Sequence, residues 1–522
     1  MTTRFTRSTL ALSGIFALSL TMAAPTVFAQ EEASTTAEAA QAHLINPAAT
    51  GSIVVHKYLY DNPTTAGTGN PDDAVPADAT PLGNVPFTIK KVTLTNPLNT
   101  PDGFAEAAKL TADTAPVDDD SKVTMKTGPD GVATFSDLAV GVYLVSEDAV
   151  DSSTVTGLEE GKQITPAAPF LVFVPMTNPK DRSSWNYDVN VFPKNSQTGA
   201  TKEVEDAGAN AGDEVTWTIK GDIPVPGADK TLSKYVVNDN LDASKVEKPT
   251  VVVEGLNISP ALTENTDYTV TITEGEEYQV SVEFTEVGLK KLAAAKNTEI
   301  TGNNVPAPQV QVKITAKVLP LGEDGMPLLE NKATVVSNNG STEHDTTTNT
   351  DTVKSYFGKV KVNKVDEANK PLSGAKFQVF QCTGAAEDPT LEGESLTVNG
   401  VSEWTTDDQG TFTIDALHVT DFADNEELVD RSHYCLVETE APMGYELLTK
   451  PVQFELTRAD LGYGEGEATP VNLKTLANIT NVESTSPNLP LTGGPGIIAL
   501  VLAGLALIGG GAWYGLRSSH KA

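Results

Sequence analysis

The chain has 522 residues, enough for several domains of ordinary size, and 39% of them are hydrophobic, as in globular proteins. Acidic residues outnumber basic residues by 70 to 36, which gives a formal net charge of -34. This charge argues against nucleic acid or anionic lipid as a binding partner and is typical of a soluble, self-repelling surface.

The first segment, residues 1–29, is typical of a secretory signal peptide. Arg4 and Arg7 precede an apolar stretch from Leu10 to Ala24, and the small residue Ala29 ends the segment. We therefore expect an exported protein whose mature chain begins after residue 29.

Between its two ends the chain shows mostly β-strand signals. Short runs rich in Val, Ile and Thr alternate with clusters of Gly, Pro, Asn and Asp. They predict an all-β fold of β-sandwich modules over residues 30–195, 196–352 and 353–485, followed by a terminal segment, 486–522. Residues 71–120 are expected to form long loops outside the core, and residues 338–352 a polar hairpin or linker. The helix-like stretch 286–296 is expected to be a single crossover turn.

A second apolar segment, Ile497 to Leu516, lies near the end of the chain, and a basic tail with Arg517 and Lys521 follows it. Its length is marginal, because a membrane span needs about 20 apolar residues. The segment predicts either a stop-transfer signal that holds a precursor transiently in the membrane, with the positive tail inside, or a permanent anchor.

Two short motifs carry a family resemblance. The first, Trp185-Asn-Tyr-Asp-Val-Asn-Val-Phe-Pro-Lys194, resembles the pilin motif of Gram-positive shaft pilins, with Phe192 in place of the usual Tyr. Strand alternation would place Trp185 and Val189 on the core face and Lys194 on the opposite face, away from the core. The second motif precedes the apolar segment and resembles the sorting signal that sortases cleave; it consists of Leu489, Pro490, Leu491, Thr492 and Gly493.

The resemblance implies a covalent polymer. In that family a pilus-specific class C sortase cuts after the Thr of the signal, holds it as a thioester and transfers it to the pilin-motif lysine of the next subunit. Thr492 would be the acyl donor and Lys194 the acceptor. A housekeeping sortase would then attach the fibre to peptidoglycan.

The expected protein is the major shaft subunit of a wall-anchored fimbria that also contains tip and base pilins and supports adhesion. It would be a sortase substrate with no cofactor, and not an enzyme. The alternative is a wall-anchored monomeric adhesin, or a tip or base pilin, that binds a host protein or glycan. The pilin motif separates the two, because a tip adhesin needs only the sorting signal.

The third module resembles a collagen-adhesin B-type domain. The resemblance rests on Lys359-Val-Lys-Val-Asn-Lys364, Pro371-Leu-Ser-Gly-Ala-Lys-Phe and Tyr434-Cys-Leu-Val-Glu438-Thr-Glu-Ala-Pro-Met-Gly-Tyr. That family has an immunoglobulin-like sandwich with a Lys at the end of its first strand, an Asn in its last strand and a Glu in a motif called the E-box. The resemblance therefore implies a tandem, elongated array of immunoglobulin-like domains with internal isopeptide bonds.

Strand parity identifies the candidates for these bonds. The chemistry needs a neutral amine and a polarised amide carbonyl, which burial beside a protonated carboxylic acid supplies. The alternative is that each lysine lies on the surface and each Asn or Asp lies in a turn. Three sets of residues have inward parity. They are Lys364, Asn481 and Glu438 in the third module; Lys202, Asn331 and Asp239 in the second module; and Lys57, Asn195 and Glu147 in the first module, where the presence of a bond is left open.

The two cysteines, Cys382 and Cys435, predict one disulfide, because an even number of cysteines in an exported chain is normally paired. Cys435 has the opposite parity to Glu438, so we expect it to face outward and to clip the loop after Phe380 onto the sheet.

No site for a resident metal or for catalysis stands out. The six His show no metal-ligand spacing, and no phosphate-binding loop or hydrolase motif is present. The acidic runs Asp118–Asp120 and Asp72–Asp73 could bind calcium, although solvated loops are the favoured interpretation.

Overall fold

The computed structural model describes residues 44–485 except 60–67, 72–78, 179, 181, 196, 228–229, 302–304, 324, 341–343 and 464–468, and it does not describe the side chains of residues 194, 300 and 301. The predicted signal peptide, sorting motif and C-terminal apolar segment lie outside the described residues. Within these ranges no helix combines the length and apolar content that crossing a membrane requires. The described chain is mostly β-strand, and the predicted all-β class of tandem β-sandwiches is confirmed.

The first module, residues 44–198, forms two main sheets around one core. Its strands, in chain order, are β1 (Thr50–His56), β2 (Tyr58–Leu59), β3 (Thr80–Pro81), β4 (Pro86–Val92), β5 (Val117–Lys126), β6 (Val132–Ala139), β7 (Gly141–Glu147), β8 (Gln163–Ile164), β9 (Phe170–Val174), β10 (Met176–Thr177), β11 (Trp185–Asn186), β12 (Asp188–Val191), β13 (Lys194–Asn195) and β14 (Gln197–Thr198). One sheet has the order β5-β4-β7-β9 and the other β12-β1-β6. Apolar side chains from both sheets form a single buried cluster, as in a β-sandwich.

The second module, residues 200–349, also consists of two sheets. Its strands are β15 (Ala200–Glu205), β16 (Glu214–Asp222), β17 (Lys234–Asp242), β18 (Thr250–Leu256), β19 (Tyr268–Thr273), β20 (Glu277–Phe284), β21 (Gln309–Lys317), β22 (Leu328–Asn331), β23 (Ala333–Asn338) and β24 (Thr346–Asn349). The sheet orders are β15-β16-β21-β18 and β19-β20-β17-β23-β24. The segment 338–352 contains β24, which pairs with β23 in the predicted hairpin.

The third module, residues 353–485, begins with the long strand β25. Its strands are β25 (Val353–Val365), β26 (Lys376–Thr383), β27 (Thr390–Glu392), β28 (Trp404–Thr405), β29 (Thr411–His418), β30 (Phe422–Ala423), β31 (Glu426–Glu427), β32 (His433–Glu440), β33 (Val452–Phe454), β34 (Leu473–Thr475) and β35 (Ile479–Thr480). β22 of the second module pairs with the start of β25, and the second and third modules share one continuous buried cluster. Their junction is therefore packed like a domain interior.

Two described helices pack on this framework. Helix α1 (Pro101–Ala107) starts at Thr100, whose side chain accepts a hydrogen bond from Gly103 N, and has a proline in its first turn. Helix α2 (Glu286–Thr301) connects β20 to β21 and buries Leu289 and Leu292 in the second module.

Two expectations from the sequence are wrong. Residues 71–120 include β4, α1 and the start of β5, and Phe87 of β4 is fully buried. The Pro- and Asp-rich connections on either side of β4 obscured its strand pattern in the sequence. The stretch 286–296 is part of a 16-residue helix and not a single turn. Burial of its leucine face against the sandwich stabilises the longer helix, which local propensity alone would not.

Strand order places the first and last strands of the first and third modules side by side. β1 pairs in parallel with β12, and β2 pairs in parallel with β13. In the third module β25 pairs in parallel with β34 and β35. The end of the first strand therefore lies next to the end of the last strand, which is where the candidate Lys and Asn residues are.

Candidate functional site

The structure brings together each of the three predicted sets of Lys, Asn and acidic residues. All nine side chains are buried, as strand parity predicts. Their exposed fractions are 7% or less, for Lys57, Glu147, Asn195, Lys202, Asp239, Asn331, Lys364, Glu438 and Asn481. Buried charged groups are rare unless they are paired, so three such sets in one chain are a marked departure from an apolar core.

The third-module set has the closest contact between amine and amide. The Lys364 Nζ donates to the Asn481 Oδ1 and lies 3.8 Å from the Glu438 Oε1. The Asn481 Nδ2 donates to both Glu438 oxygens at 2.8 and 3.1 Å. Leu448 N donates to the same carboxyl at 2.8 Å. The acid therefore touches the nitrogen that would leave if the amine attacked the amide carbon.

The second-module set has the same three groups in a different arrangement. The Lys202 Nζ lies 2.5 Å from the Asp239 Oδ2, and the Asn331 Nδ2 lies 3.4 Å from that oxygen. The Asn331 Oδ1 and the Asp239 Oδ1 are buried without a hydrogen-bond partner. Unpaired buried oxygens are costly, and a bond that brings the amine to the amide carbon would rearrange all three groups.

The first-module set, which the sequence left open, is just as complete. The Lys57 Nζ lies 2.7 Å from the Glu147 Oε2, and the Asn195 Nδ2 donates to the Glu147 Oε1 at 2.5 Å. The Phe87 ring lies beneath the amine, 5.7 Å from ring centre to Nζ. The parallel pairing of β2 with β13 puts Asn195 beside the residues that follow Lys57.

Burial shifts the pKa values of the three lysines and of two of the acids in the direction that amide formation needs. It lowers the pKa of the Lys364 amine to about 8, although the Glu438 carboxylate opposes the shift. It also lowers the pKa of the Lys57 and Lys202 amines. Burial raises the pKa of the Glu438 and Asp239 carboxyls. A neutral amine is a nucleophile, and a protonated acid can donate to a carbonyl oxygen or to a leaving nitrogen.

The pilin-like motif is not one strand. It forms β11, β12 and β13, separated by breaks at Tyr187 and at residues 192–193. Asn190, which has the same strand parity as Lys194, is only 7% exposed, and its Oδ1 lies 2.8 Å from the His56 Nε2. β12 is continuous across this residue, so Asn190 is buried because its face of the strand is covered as well. The backbone of Lys194 lies in β13 opposite Tyr58, whereas the predicted direction of its side chain lies outside what the structure describes.

An apolar groove lies beside β12 and ends next to Lys194. It has a volume of about 500 Å³ and runs between β9 and β12. Met176 and Gly69 line one end, and Phe192 and Pro193 line the end that leads into β13. This groove was not predicted from the sequence. The signal for it is the run Phe170-Leu-Val-Phe-Val174, which is apolar on both faces although one face of β9 packs on the core.

Aromatic contacts hold the motif in place. Trp185 packs on Phe104 of α1, with ring centres 5.6 Å apart. Phe192, the departure from the usual Tyr, stacks on His56 at 4.7 Å with nearly parallel rings. Phe192 therefore supplies an aromatic contact two residues before the candidate acceptor Lys194.

The cysteine prediction is correct in its pairing and wrong in its orientation. The structure joins Cys382 to Cys435, with Cα atoms 5.9 Å apart. Both residues are buried, and Cys382 lies in β26 and not in a loop. Parity opposite to Glu438 does put Cys435 on the other face of β32, but further chain covers that face too.

The candidate calcium ligands that the structure describes do not lie in a loop. Asp118–Asp120 lies within β5, and the Asp119 Oδ1 lies 2.6 Å from the Lys90 Nζ. Asp72–Asp73 lies outside the described residues.

Two family profiles match this architecture. "Gram-positive pilin subunit D1, N-terminal domain" matches residues 48–196, and "Prealbumin-like fold domain" matches residues 358–465. These matches define the class as a Gram-positive pilin subunit built from β-sandwich domains.

Individual relatives extend the match over the whole chain. The chain is 33% identical to fimbrial subunit type 1 of Actinomyces viscosus over 95% of each chain, and 30% identical to fimbrial subunit type 2 of Actinomyces naeslundii over 89% and 88%. The solved structure of the full-length major pilin SpaD from Corynebacterium diphtheriae has a TM-score of 0.68 at 33% identity, over 85% of this chain and 99% of that one. The chain belongs to the family of Gram-positive sortase-assembled fimbrial subunits. These relatives are structural subunits of surface pili.

Proposed function

We propose that this chain is the major shaft subunit of a fimbria, joined head to tail through Thr492 of one subunit and Lys194 of the next. The observation that carries the proposal is the placement of Lys194. Its backbone lies in a two-residue strand at the end of an apolar groove, directly before the buried Asn195. This backbone position supports Lys194 as the acceptor, because a peptide that lies in the groove would lead to it.

The groove suits the donor segment. Leu489, Pro490 and Leu491 are apolar, and an extended Leu-Pro-Leu peptide would bury its side chains against the Phe170 and Phe192 surfaces. A groove that ends beside Lys194 would direct the following residue, Thr492, to the acceptor. Holding the two reacting groups close together and in a fixed orientation would lower the entropic cost of the transfer.

The transfer itself belongs to the sortase. Its thiolate would displace Gly493 from Thr492 to form a thioester. The Lys194 amine would then attack that carbonyl, so that an amide forms, the thiolate leaves and the amine loses a proton. Head-to-tail joining does not close on itself, so the product is a filament.

The three buried sets would form intramolecular isopeptide bonds. In each set the neutral lysine Nζ attacks the Asn Cγ, the Cγ–Nδ2 bond breaks, and the acid passes the amine proton to the leaving nitrogen. One ammonia leaves for each bond. The carboxyl contacts with the Asn amide and the lowered lysine pKa values support this chemistry.

Export, anchoring and adhesion complete the proposal. A pilus-specific sortase would polymerise the chain, and a housekeeping sortase would attach the fibre, with its tip and base pilins, to peptidoglycan. These steps follow from the signal-peptide and sorting-signal sequences and from the fimbrial relatives. The fibre would support adhesion at a distance from the cell.

An immunoblot of wall-extracted protein tests the polymerisation. Cells producing the wild type should give a ladder of high-mass species that survives boiling in detergent, and Lys194→Ala should remove it. Lys126→Ala, an exposed lysine of β5, is the matched control and should leave the ladder intact. A single monomer-sized band in all three would refute the shaft role and favour the wall-anchored adhesin.

A further inference from the structure

The pilin-like motif keeps its register across the break that precedes Lys194. The parallel ladder of β1 with β12 ends with the pair Val55 and Val191, and that of β2 with β13 begins with the pair Tyr58 and Lys194. Partners are 136 residues apart in the chain on both sides of the break. Pro193, inside the break, has no N–H to donate to a ladder. The ladder is therefore interrupted without a shift, and side-chain contacts can maintain the alignment there.

The His56 ring occupies this interruption. It stacks on the Phe192 ring, with ring centres 4.7 Å apart and ring planes 12° apart. Because the register is unchanged, His56 is the residue opposite Phe192, and the stack is a cross-strand contact at the position where the ladder stops. We infer that His56 is a positioning residue for the transfer to Lys194, and that it acts through Phe192. The inference rests on the proposed Thr492–Lys194 linkage and names a residue that serves it.

A hydrogen bond fixes the plane of the His56 ring. The Asn190 Nδ2 donates to Asp188 O at 3.1 Å, and a carbonyl oxygen only accepts, so it is the Asn190 Oδ1 that faces the ring. The His56 Nε2, 2.8 Å from that oxygen, therefore carries a hydrogen and donates it. Asn190 is itself buried, and its backbone N–H donates to Gly69 O at 3.0 Å. A buried amide thus holds the edge of the ring, and the face of the ring lies against Phe192.

His56 and its neighbour Lys57 contact the acceptor segment at two points. β1 buries alternate residues, and Lys57 continues this buried face, so His56 points to the opposite face and is half-buried. Lys57 belongs to the buried set that contains Asn195, the residue after the acceptor. His56 contacts Phe192, two residues before the acceptor. Lys194 lies between these contacts in a strand of only two residues, so contacts on either side decide how precisely its backbone is placed.

The position of Phe192 matters for the transfer because this residue also forms part of the groove. Phe192 and Pro193 line the end of the groove that leads into β13. A donor peptide in the groove and the acceptor backbone would therefore both be placed relative to the same aromatic ring. Without the stack, Phe192 would be free to change rotamer, which would move the end of the groove and Lys194 relative to each other. A misplacement of about 1 Å can cost about a hundredfold in rate.

A transfer assay with purified components tests this role. The acceptor is the secreted chain with Thr492→Val, which accepts but does not donate, and the donor is a fluorescent Leu-Pro-Leu-Thr-Gly peptide with a pilus-specific sortase. His56→Ala should lower kcat/KM for the acceptor about tenfold or more, because the acceptor is then less well placed. The rate at which the sortase hydrolyses the peptide without an acceptor should not change, since the sortase itself is unaltered.

Two further variants separate the ring from its hydrogen bond. His56→Phe keeps a ring that can stack on Phe192 but can neither donate to Asn190 nor take up a proton, and its kcat/KM should stay within about threefold of the wild type. His56→Gln keeps a donor for Asn190 but has no ring, and it should be as slow as His56→Ala. The matched control is His433→Ala, which removes a histidine of β32 that lies 3.0 Å from Glu455 in the third module, and it should not change the rate.

Thermal melts of the same proteins separate positioning from stability. The expected result is that His56→Phe and His56→Gln melt at similar temperatures and differ in transfer rate. The inference is overturned if His56→Phe is as slow as His56→Ala, if His56→Gln reacts at the wild-type rate, or if the rates of the variants simply follow their melting temperatures. An unchanged rate in His56→Ala would also overturn it. Transfer to a Lys194→Ala acceptor at the wild-type rate would instead refute the proposed linkage itself.

Discussion

Tension along the proposed fibre should bypass most of each subunit. Force enters at Lys194, through the bond from the neighbour, and leaves at Thr492. If the isopeptide bonds form, the path crosses from Lys202 to Asn331 and from Lys364 to Asn481. The chain enclosed by each bond then carries no force. The first module lies almost wholly before Lys194, so tension bypasses it too.

This path predicts how far variant fibres extend. Lys202→Met removes the bond that keeps about 130 residues out of the path of tension. At up to about 3.6 Å for each extended residue, each subunit would lengthen by about 450 Å. Lys364→Met exposes the 117 residues up to Asn481, which corresponds to about 400 Å. Lys57→Met should add nothing, because its bond lies outside the path.

Single-molecule stretching of wall-extracted fibres measures these lengths. Force–extension curves should show unfolding steps of the stated size in the Lys202→Met and Lys364→Met fibres, and none of that size in wild-type or Lys57→Met fibres. Methionine is the chosen replacement because it fills the space of the buried lysine side chain without leaving an unpaired amine. Steps in Lys57→Met fibres equal to those of Lys202→Met would refute the force path. A step of about 450 Å in wild-type fibres, equal to that of Lys202→Met, would show that the second module holds no bond.

The remaining predictions concern isolated chains. The wild-type secreted protein should be lighter than its sequence by three ammonia molecules in an intact-mass measurement, and Asp239→Ala by two, because the second set loses its proton donor. Lys364→Met should lower the free energy of unfolding by about 5 kcal/mol in thermal melts, on the chain-entropy estimate for a loop of this length; an unchanged melting temperature would contradict a bond there. In Asn481→Ala, which keeps Lys364 as a buried amine, stability should rise with pH above about 8, because the unfolded chain binds more protons there than the folded one. Asn481→Ala combined with Lys364→Met should lose that rise.

Strand parity predicted the buried sets because it is a local property. The alternation of apolar and polar residues places Lys364, Glu438 and Asn481 among core side chains whichever strands become neighbours. In the pilin-like motif the same reasoning applies only within one strand: Val189 of β12 lies in the core as expected, whereas breaks at Tyr187 and residues 192–193 separate Trp185 and Lys194 from that strand. Parity holds only as far as a strand is continuous. Pro193, which has no N–H to donate, marks the second break, whereas the residues around Tyr187 do not mark the first.

Features that depend on distant contacts could not be read from the sequence. The groove forms between β9 and β12, which are not paired with each other, so the apolar run of β9 indicates a second apolar face but not which strand lies across the groove from it. The junction of the second and third modules is another case. The Asp206 Oδ2 lies 3.2 Å from the His418 Nε2, and the Asn210 Oδ1 accepts from His418 N. Each of these residues alone resembles an ordinary turn or strand residue.

The first-module set needs a different explanation from the other two, because a bond within it would not shorten the path of tension. A bond from Lys57 to Asn195 would fix β13 to the end of β1, and Lys194 is the neighbouring residue on β13. It would therefore hold the acceptor backbone against the groove while force pulls on its side chain. β13 has only two residues, so its few hydrogen bonds alone would resist that force weakly. On this argument the second and third bonds shorten the path of tension, and the first keeps the point where tension enters from being pulled out of the fold.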